Sequence, residues 1–145
     1  MKIDQIREQV RKDFELDETE LDRESMRVPQ LHNKYLNMLF DEKLLLKQQK
    51  AEHAKLRRLK WEYYSGKLDE DQLDELGWEQ FDLKILRNDL DKYLESDEEL
   101  VNLELKTSFQ KEKVDYLESV IKNIANLQWN IRNAIEWKKF THGTV

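Results

Sequence analysis

Only three glycines and one proline punctuate the 145 residues, and that scarcity excludes most β architectures. Hairpins and sandwiches need a turn signal about every ten residues, and this chain does not supply them. What remains is long helix, in which apolar residues recur at three and four. A charged fraction of 39%, an apolar fraction of 39% and a mean hydropathy of −0.91 suit helices exposed over much of their surface. The four Trp, five Tyr and five Phe, set among periodic Leu and Ile, argue for packed faces rather than disorder.

The periodicity divides the chain. Ile3, Ile6, Val10 and Phe14 form a narrow stripe, and residues 1–28 read as one or two short helices. Asp17 with Glu20 is a candidate N-cap for the second, through Met26. Pro29 reads as a boundary, disfavouring helix at Val28 but suiting the first turn of a new one. A long helix is expected from Pro29 to Tyr64, with inward positions 31, 35, 38, 42, 45, 49, 52, 56, 59 and 63, closed at Ser65-Gly66. Residues 67–77 read as an acidic connector or short helix, with Gly77 as a second break, and Trp78 to Tyr93 as an amphipathic helix. Ser96 to Glu99 reads as a capping box opening a last helix over 97–141. Fourteen of the 28 residues from Lys113 to Phe140 are apolar, more than one core-facing stripe needs. Val114, Leu117, Val120, Ile121, Ile124, Leu127, Ile131, Ile135 and Trp137 are therefore expected to meet other copies of the chain.

Charge singles out one stretch. From Lys43 to Lys67 eight basic residues stand against Glu52 and Glu62, while the rest carries 17 basic against 29 acidic residues. On a helical wheel Lys43, Lys47, Lys50, Arg57, Arg58 and Trp61 fall within about 100° of one another. Leu45, Leu56, Leu59 and Tyr63 take the opposite side. A cationic line of about 27 Å, ending in rings at Trp61 and Tyr64, suits a phosphate backbone with unpaired bases.

Catalysis finds little support. His32, His53 and His142 are scattered without metal-ligand spacing, and no Gly-rich phosphate loop is present. Asp69-Glu70-Asp71 reads as a solvated connector, because consecutive carboxylates on a helix point apart. No metal and no cofactor are expected. The absence of cysteine suits a reducing compartment. The longest apolar run, Leu44 to Leu46, is far too short for a membrane span, and the charged N-terminus lacks a signal-peptide core. A soluble intracellular protein is expected.

The run Arg58-Leu59-Lys60-Trp61-Glu62-Tyr63-Tyr64-Ser65-Gly66-Lys67 resembles the UvsY family of recombination mediators of T-even-like bacteriophages. That family carries two basic residues one apart, then an acidic residue, Tyr-Tyr-Ser-Gly and another basic residue. Leu59 and Trp61 depart from its pattern. The resemblance implies a non-enzymatic factor of the host cytoplasm, phage-encoded and outside the virion. Such a factor binds single-stranded DNA, helps displace the phage single-strand-binding protein and loads a RecA-like recombinase. It implies a ring of six or seven copies joined by the C-terminal helix. By motif position, Arg58 and Lys60 correspond to the DNA-contacting pair; the wheel puts Lys60 on the flank of the stripe and favours Arg58.

The expected fold is all-α, with long amphipathic helices packed in coiled-coil-like hairpins. Residues 1–96 would carry the DNA-binding helix, about 29–66, and residues 97–145 would drive ring-like assembly. The expected DNA contacts are Lys43, Lys47, Lys50, Arg57, Arg58, Lys60, Trp61, Tyr64 and Lys67. The competing expectation is a helical adaptor that assembles through its C-terminal helix and whose basic face is merely solvated.

Overall fold

The computed structural model describes residues 1–143; Thr144 and Val145, the end of the expected assembly region, lie outside the described residues. Among the described residues five helices follow one another: α1 (Ile3–Asp13), α2 (Leu21–Tyr64), α3 (Glu70–Leu76), α4 (Leu90–Ser96) and α5 (Glu98–Thr141). No strand occurs among the described residues, and the all-α expectation holds. The helices α2 and α5 are each 44 residues long, about 66 Å of helix apiece. Each contributes residues to both of two compact units. The first comprises Met1–Leu44 with the described residues from Lys111 onward, the second Leu45–Gln110.

The first unit is aliphatic. Ile6, Leu21, Val28, Leu31, Tyr35 and Leu39 are buried, as are Val114, Leu117, Val120, Ile124, Leu127 and Ile131. Ion pairs fix the antiparallel course of its two long helices. Lys43 Nζ lies 3.1 Å from Glu118 and Lys113 Nζ 3.5 Å from Glu42, while Lys138 donates to the Glu18 carbonyl at the other end. The end of α1 docks through Asp13, whose carboxylate accepts from Lys34 Nζ at 2.6 Å and the Tyr35 hydroxyl at 2.7 Å. Partial burial opposes ionisation there, but those two donors outweigh it and hold the carboxyl below its usual range.

Pro29 does not start a helix; it lies inside α2. The ring removes one backbone bond, yet Val28 and Leu31 beside it are 6% and 5% exposed. Arg27 also ties the helix down, reaching the Asp13 carbonyl at 2.8 Å. Core burial on both sides outweighs the one lost bond. Asp17 caps no helix directly; its Oδ1 accepts from Thr19 N and Oγ1 in the turn that precedes α2.

The second unit is polar and aromatic. Leu90, Leu94 and Leu100 form its apolar cluster, with Leu56 and Tyr64 packed against it. The helix expected over 78–93 is absent up to Asp89. Trp78 and Phe81 instead pack against Tyr63 and Tyr64 with centroids 5.0 to 5.8 Å apart, and Tyr93 closes the group. The Tyr63 hydroxyl donates to the Glu79 carbonyl at 2.6 Å. Ring packing and that bond hold the segment irregular against its helical periodicity. The capping residue of α5 is Asp97 rather than Ser96: Asp97 Oδ1 accepts from Leu100 N at 3.0 Å, and Ser96 Oγ donates back to the Lys92 carbonyl.

The buried edge of α2 also departs from the expected register. Past Tyr35 it follows Leu39, Glu42, Leu46, Gln49, the half-buried Leu56 and Lys60, in the expected register at Glu42, Gln49 and Leu56 and one residue later at Leu39, Leu46 and Lys60. Leu45 is consequently 40% exposed, while Leu46 and Lys60 are buried. The same period is kept with the face rotated, which a polar mid-helix sequence cannot fix by itself.

Candidate nucleic-acid interface

The candidate interface lies on the α2 segment of the second unit. The buried Leu46, Gln49 and Lys60 and the half-buried His53 and Leu56 span an arc of about 80°. Lys47, Lys50, Arg57, Arg58 and Trp61 occupy a neighbouring arc, and all five are exposed. From Lys47 to Trp61 the line runs about 21 Å. Lys47 and Lys50 have no acid within ion-pair distance among the described residues. Arg57 approaches Asp91 only to 3.9 Å. Arg58, 83% exposed, meets Glu62 at 3.5 Å. Such pairs on a wet surface hold weakly and give way to a phosphate. Lys43 belongs to the first unit, where Glu118 engages it.

Lys60 requires a correction. Its side chain is 7% exposed, with Nζ 3.1 Å from Asp97 Oδ2 and 3.5 Å from Glu99. The ammonium also lies 4.1 Å from the centroid of the Trp78 ring. The motif pair is therefore split: Arg58 faces solvent, and two residues on, about 200° around the helix, Lys60 is consumed by internal bonds. Tyr64 is likewise an internal group. Its ring belongs to the aromatic cluster, and its hydroxyl donates to Asp97 Oδ2 at 2.6 Å. Burial and that carboxylate both push the phenol pKa up. Burial acts against ionisation of Asp97, but bonds from Tyr64, Leu100 N and Lys60 overcome it and keep the carboxyl below its ordinary range.

Asp97 is the residue the sequence reading missed. It caps α5, neutralises Lys60 and holds Tyr64. Its only sequence signal was a position beside the expected cap.

The end of the line is shaped by a helix stop. Gly66 adopts φ 71°, where a side chain is strained. Gly66 N donates to the Tyr63 carbonyl at 3.1 Å and Lys67 N to the Glu62 carbonyl at 2.9 Å, a paired C-terminal cap. This turn carries Lys67 back over α2, with Nζ 4.1 Å from the Trp61 ring centroid. Trp61 is 40% exposed and, among the described residues, stacks on none of the five rings of the cluster.

The expected assembly residues divide as well. Val114, Leu117, Val120, Ile124, Leu127 and Ile131 are buried by their own chain, because α1 and α2 need that face of α5. Ile121 and Ile135 are half-buried. Trp137 is exposed, as are Trp129 and Phe140. Those three share an arc of about 80°, and the Trp137 and Phe140 rings lie 5.7 Å apart.

Residues 9–144 match the family model described as "Recombination, repair and ssDNA binding protein UvsY". The chain belongs to the UvsY family. It is a family of recombination proteins and not of enzymes. Crystal structures of the recombination mediator protein UvsY of bacteriophage T4 share the fold. One lattice form superposes with a TM-score of 0.85 at 19% identity, covering 97% of this chain and 99% of that one. Two others give 0.83 and 0.80 at 18% identity, covering 98% and 94% of this chain and 98% of theirs. No curated protein matches the chain in sequence. Among the described residues no helix is long and apolar enough to cross a membrane, and no group of acids and histidines could hold a metal ion.

Proposed function

We propose that this protein is a recombination mediator that binds single-stranded DNA along the exposed face of α2. The carrying observation is the line Lys47, Lys50, Arg57 and Arg58, which is solvent-facing, one-sided and closed by an exposed indole. It stands in a chain that is otherwise strongly acidic. The family description and the mediator role of the T4 relative support the reading. In this account the protein helps displace a single-strand-binding protein and loads a RecA-like recombinase in the host cytoplasm. A modest site repeated around a homo-oligomeric ring gains avidity from high effective concentration and can release one protomer at a time.

Assembly falls to the exposed rings of α5, Trp129, Trp137 and Phe140, rather than to its buried aliphatic face. Replacing both Trp137 and Phe140 by Ser should lower the mass measured by light scattering while leaving helicity intact. An unchanged mass would remove that face from the assembly. Truncation at Lys113 is a poor test, since it would also delete half of the first unit's core.

Fluorescence anisotropy with a labelled single strand tests the reading itself. Neutralising about four phosphates per protomer gives a fall of log K with log salt of about −3 for each protomer engaged. The adaptor alternative draws on the internal pairing of Lys43 and Lys60 and predicts no binding at moderate salt.

A further inference from the structure

Among the rings of the second unit, Trp61 stands apart. Tyr63, Tyr64, Trp78, Phe81 and Tyr93 satisfy one another edge to face, whereas among the described residues Trp61 has no ring partner and carries the Lys67 ammonium over its face. Lys67 does not arrive there by chance rotation of a surface side chain. The Gly66 turn, with its two backbone bonds, sets its starting point directly after the helix. Arg57 and Arg58 lie one turn before the indole on the same side, both exposed. The result is an indole with cations before and after it along α2, one of them covering the ring.

We propose that Lys67 is a displaceable cover on a nucleobase seat. In the free protein its ammonium shields the Trp61 face. When a single strand lies along α2, an unpaired base takes that face and the ammonium turns outward to an adjoining phosphate. Stacking a base on an exposed indole is the stronger of the two contacts, and the displaced cation exchanges a ring for an anion. Both terms favour the swap. A duplex, with its bases already stacked, offers nothing to the ring, so the seat favours unpaired strands. The Trp61–Lys67 pair thus adds base recognition to a line that otherwise reads phosphates alone. The inference rests on the single-strand reading above and gives that site its ligand, an unpaired base flanked by phosphate.

The test compares two labelled strands of equal length and charge, an oligothymidylate and its abasic counterpart, over a salt series with the full chain. The wild type should prefer the base-bearing strand by about tenfold. Trp61→Ala should reduce that preference to near unity while keeping the salt slope. Trp61→Phe should retain part of it, with circular dichroism confirming intact helices in both. Lys67→Ala should keep the preference but make the slope shallower by about 0.7 for each protomer engaged. An unchanged preference in Trp61→Ala overturns the seat, and an unchanged slope in Lys67→Ala overturns the displaced cover. Equal binding of both strands by the wild type overturns this inference alone, whereas binding of neither overturns the single-strand reading with it.

Discussion

The two units of this protein differ in what they bury along the same pair of helices: the first is mainly hydrocarbon with one charged pair, Glu42 and Lys113, and the second mixes leucines with four polar or charged side chains. In the first, α2 and α5 present Leu31, Leu39, Leu117, Ile124 and Ile131, and much of the core is interchangeable hydrocarbon. In the second, the same helices bury Gln49, Lys60, Asp97 and Gln110 with few leucines between them. Among the described residues Gln49 Oε1 has no hydrogen-bond partner, a cost that an aliphatic pair would not carry. Hydrocarbon cores tolerate loss in proportion to the volume removed. A polar core depends on every partner, since a buried charge without its mate is expensive. The region that carries the candidate interface is thus held by specific bonds rather than by bulk burial.

That contrast can be broken by substitution. Asp97→Ala should be the most damaging change in the molecule, lowering stability by about 4 kcal/mol. It takes from Lys60 its nearer and buried carboxylate, leaving only the exposed Glu99, and at one stroke leaves Leu100 N uncapped and frees Tyr64. Urea unfolding would measure it, and a loss below about 1 kcal/mol would mean that the polar core contributes little. Leu117→Ala, at a fully buried position, should cost about 3 kcal/mol by the same measurement. A larger loss there than at Asp97 would reverse the ranking of the two units.

Acid should sharpen the comparison. Asp97 and Asp13 are both held below the usual carboxyl range. Their unfolded forms take up protons at about pH 3.9, before the folded forms do. Stability is therefore full above that pH and falls as the pH drops through the folded values. Asp97→Asn should flatten this loss in a series of unfolding curves from pH 5 to pH 2, leaving the share due to Asp13. An unaltered slope would show that the Asp97 carboxylate does not govern acid sensitivity.

The smallest effect on stability should come from the exposed cation. Arg58→Ala should change it by less than about 0.5 kcal/mol, yet make the salt slope for single-strand binding shallower by about 0.7 for each protomer engaged. Lys60→Met should do the opposite, destabilising the second unit with the slope unchanged. If both variants reduce the slope, the buried assignment of Lys60 does not describe the DNA-bound state.

Much of this could be read from the residues. Helix content followed from the three glycines and the three-four spacing, and the stops at Gly66 and Gly77 from glycine's access to positive φ. The cationic face was legible because angular position on a helix depends only on residue number. The segment from Trp78 to Asp89 reads as helix because its apolar spacing is helical, while its rings have partners distant in sequence. Pro29 reads as a boundary because a lost backbone bond is a local fact, whereas the burial that offsets it is not.

The sequence by itself determined that the chain is mostly long helix, the stops at Gly66 and Gly77 and the cationic side of α2, all properties of residues a few positions apart. Tertiary structure decided which edge of α2 is buried, that Arg58 and Lys60 have separate fates, and that the aliphatic face of α5 closes on its own chain. Those outcomes turn on Asp97, Trp78 and α1, which reach α2 and α5 from elsewhere along the chain. Charge and periodicity specify a face, but only the partner that arrives there determines whether a lysine meets water or a carboxylate.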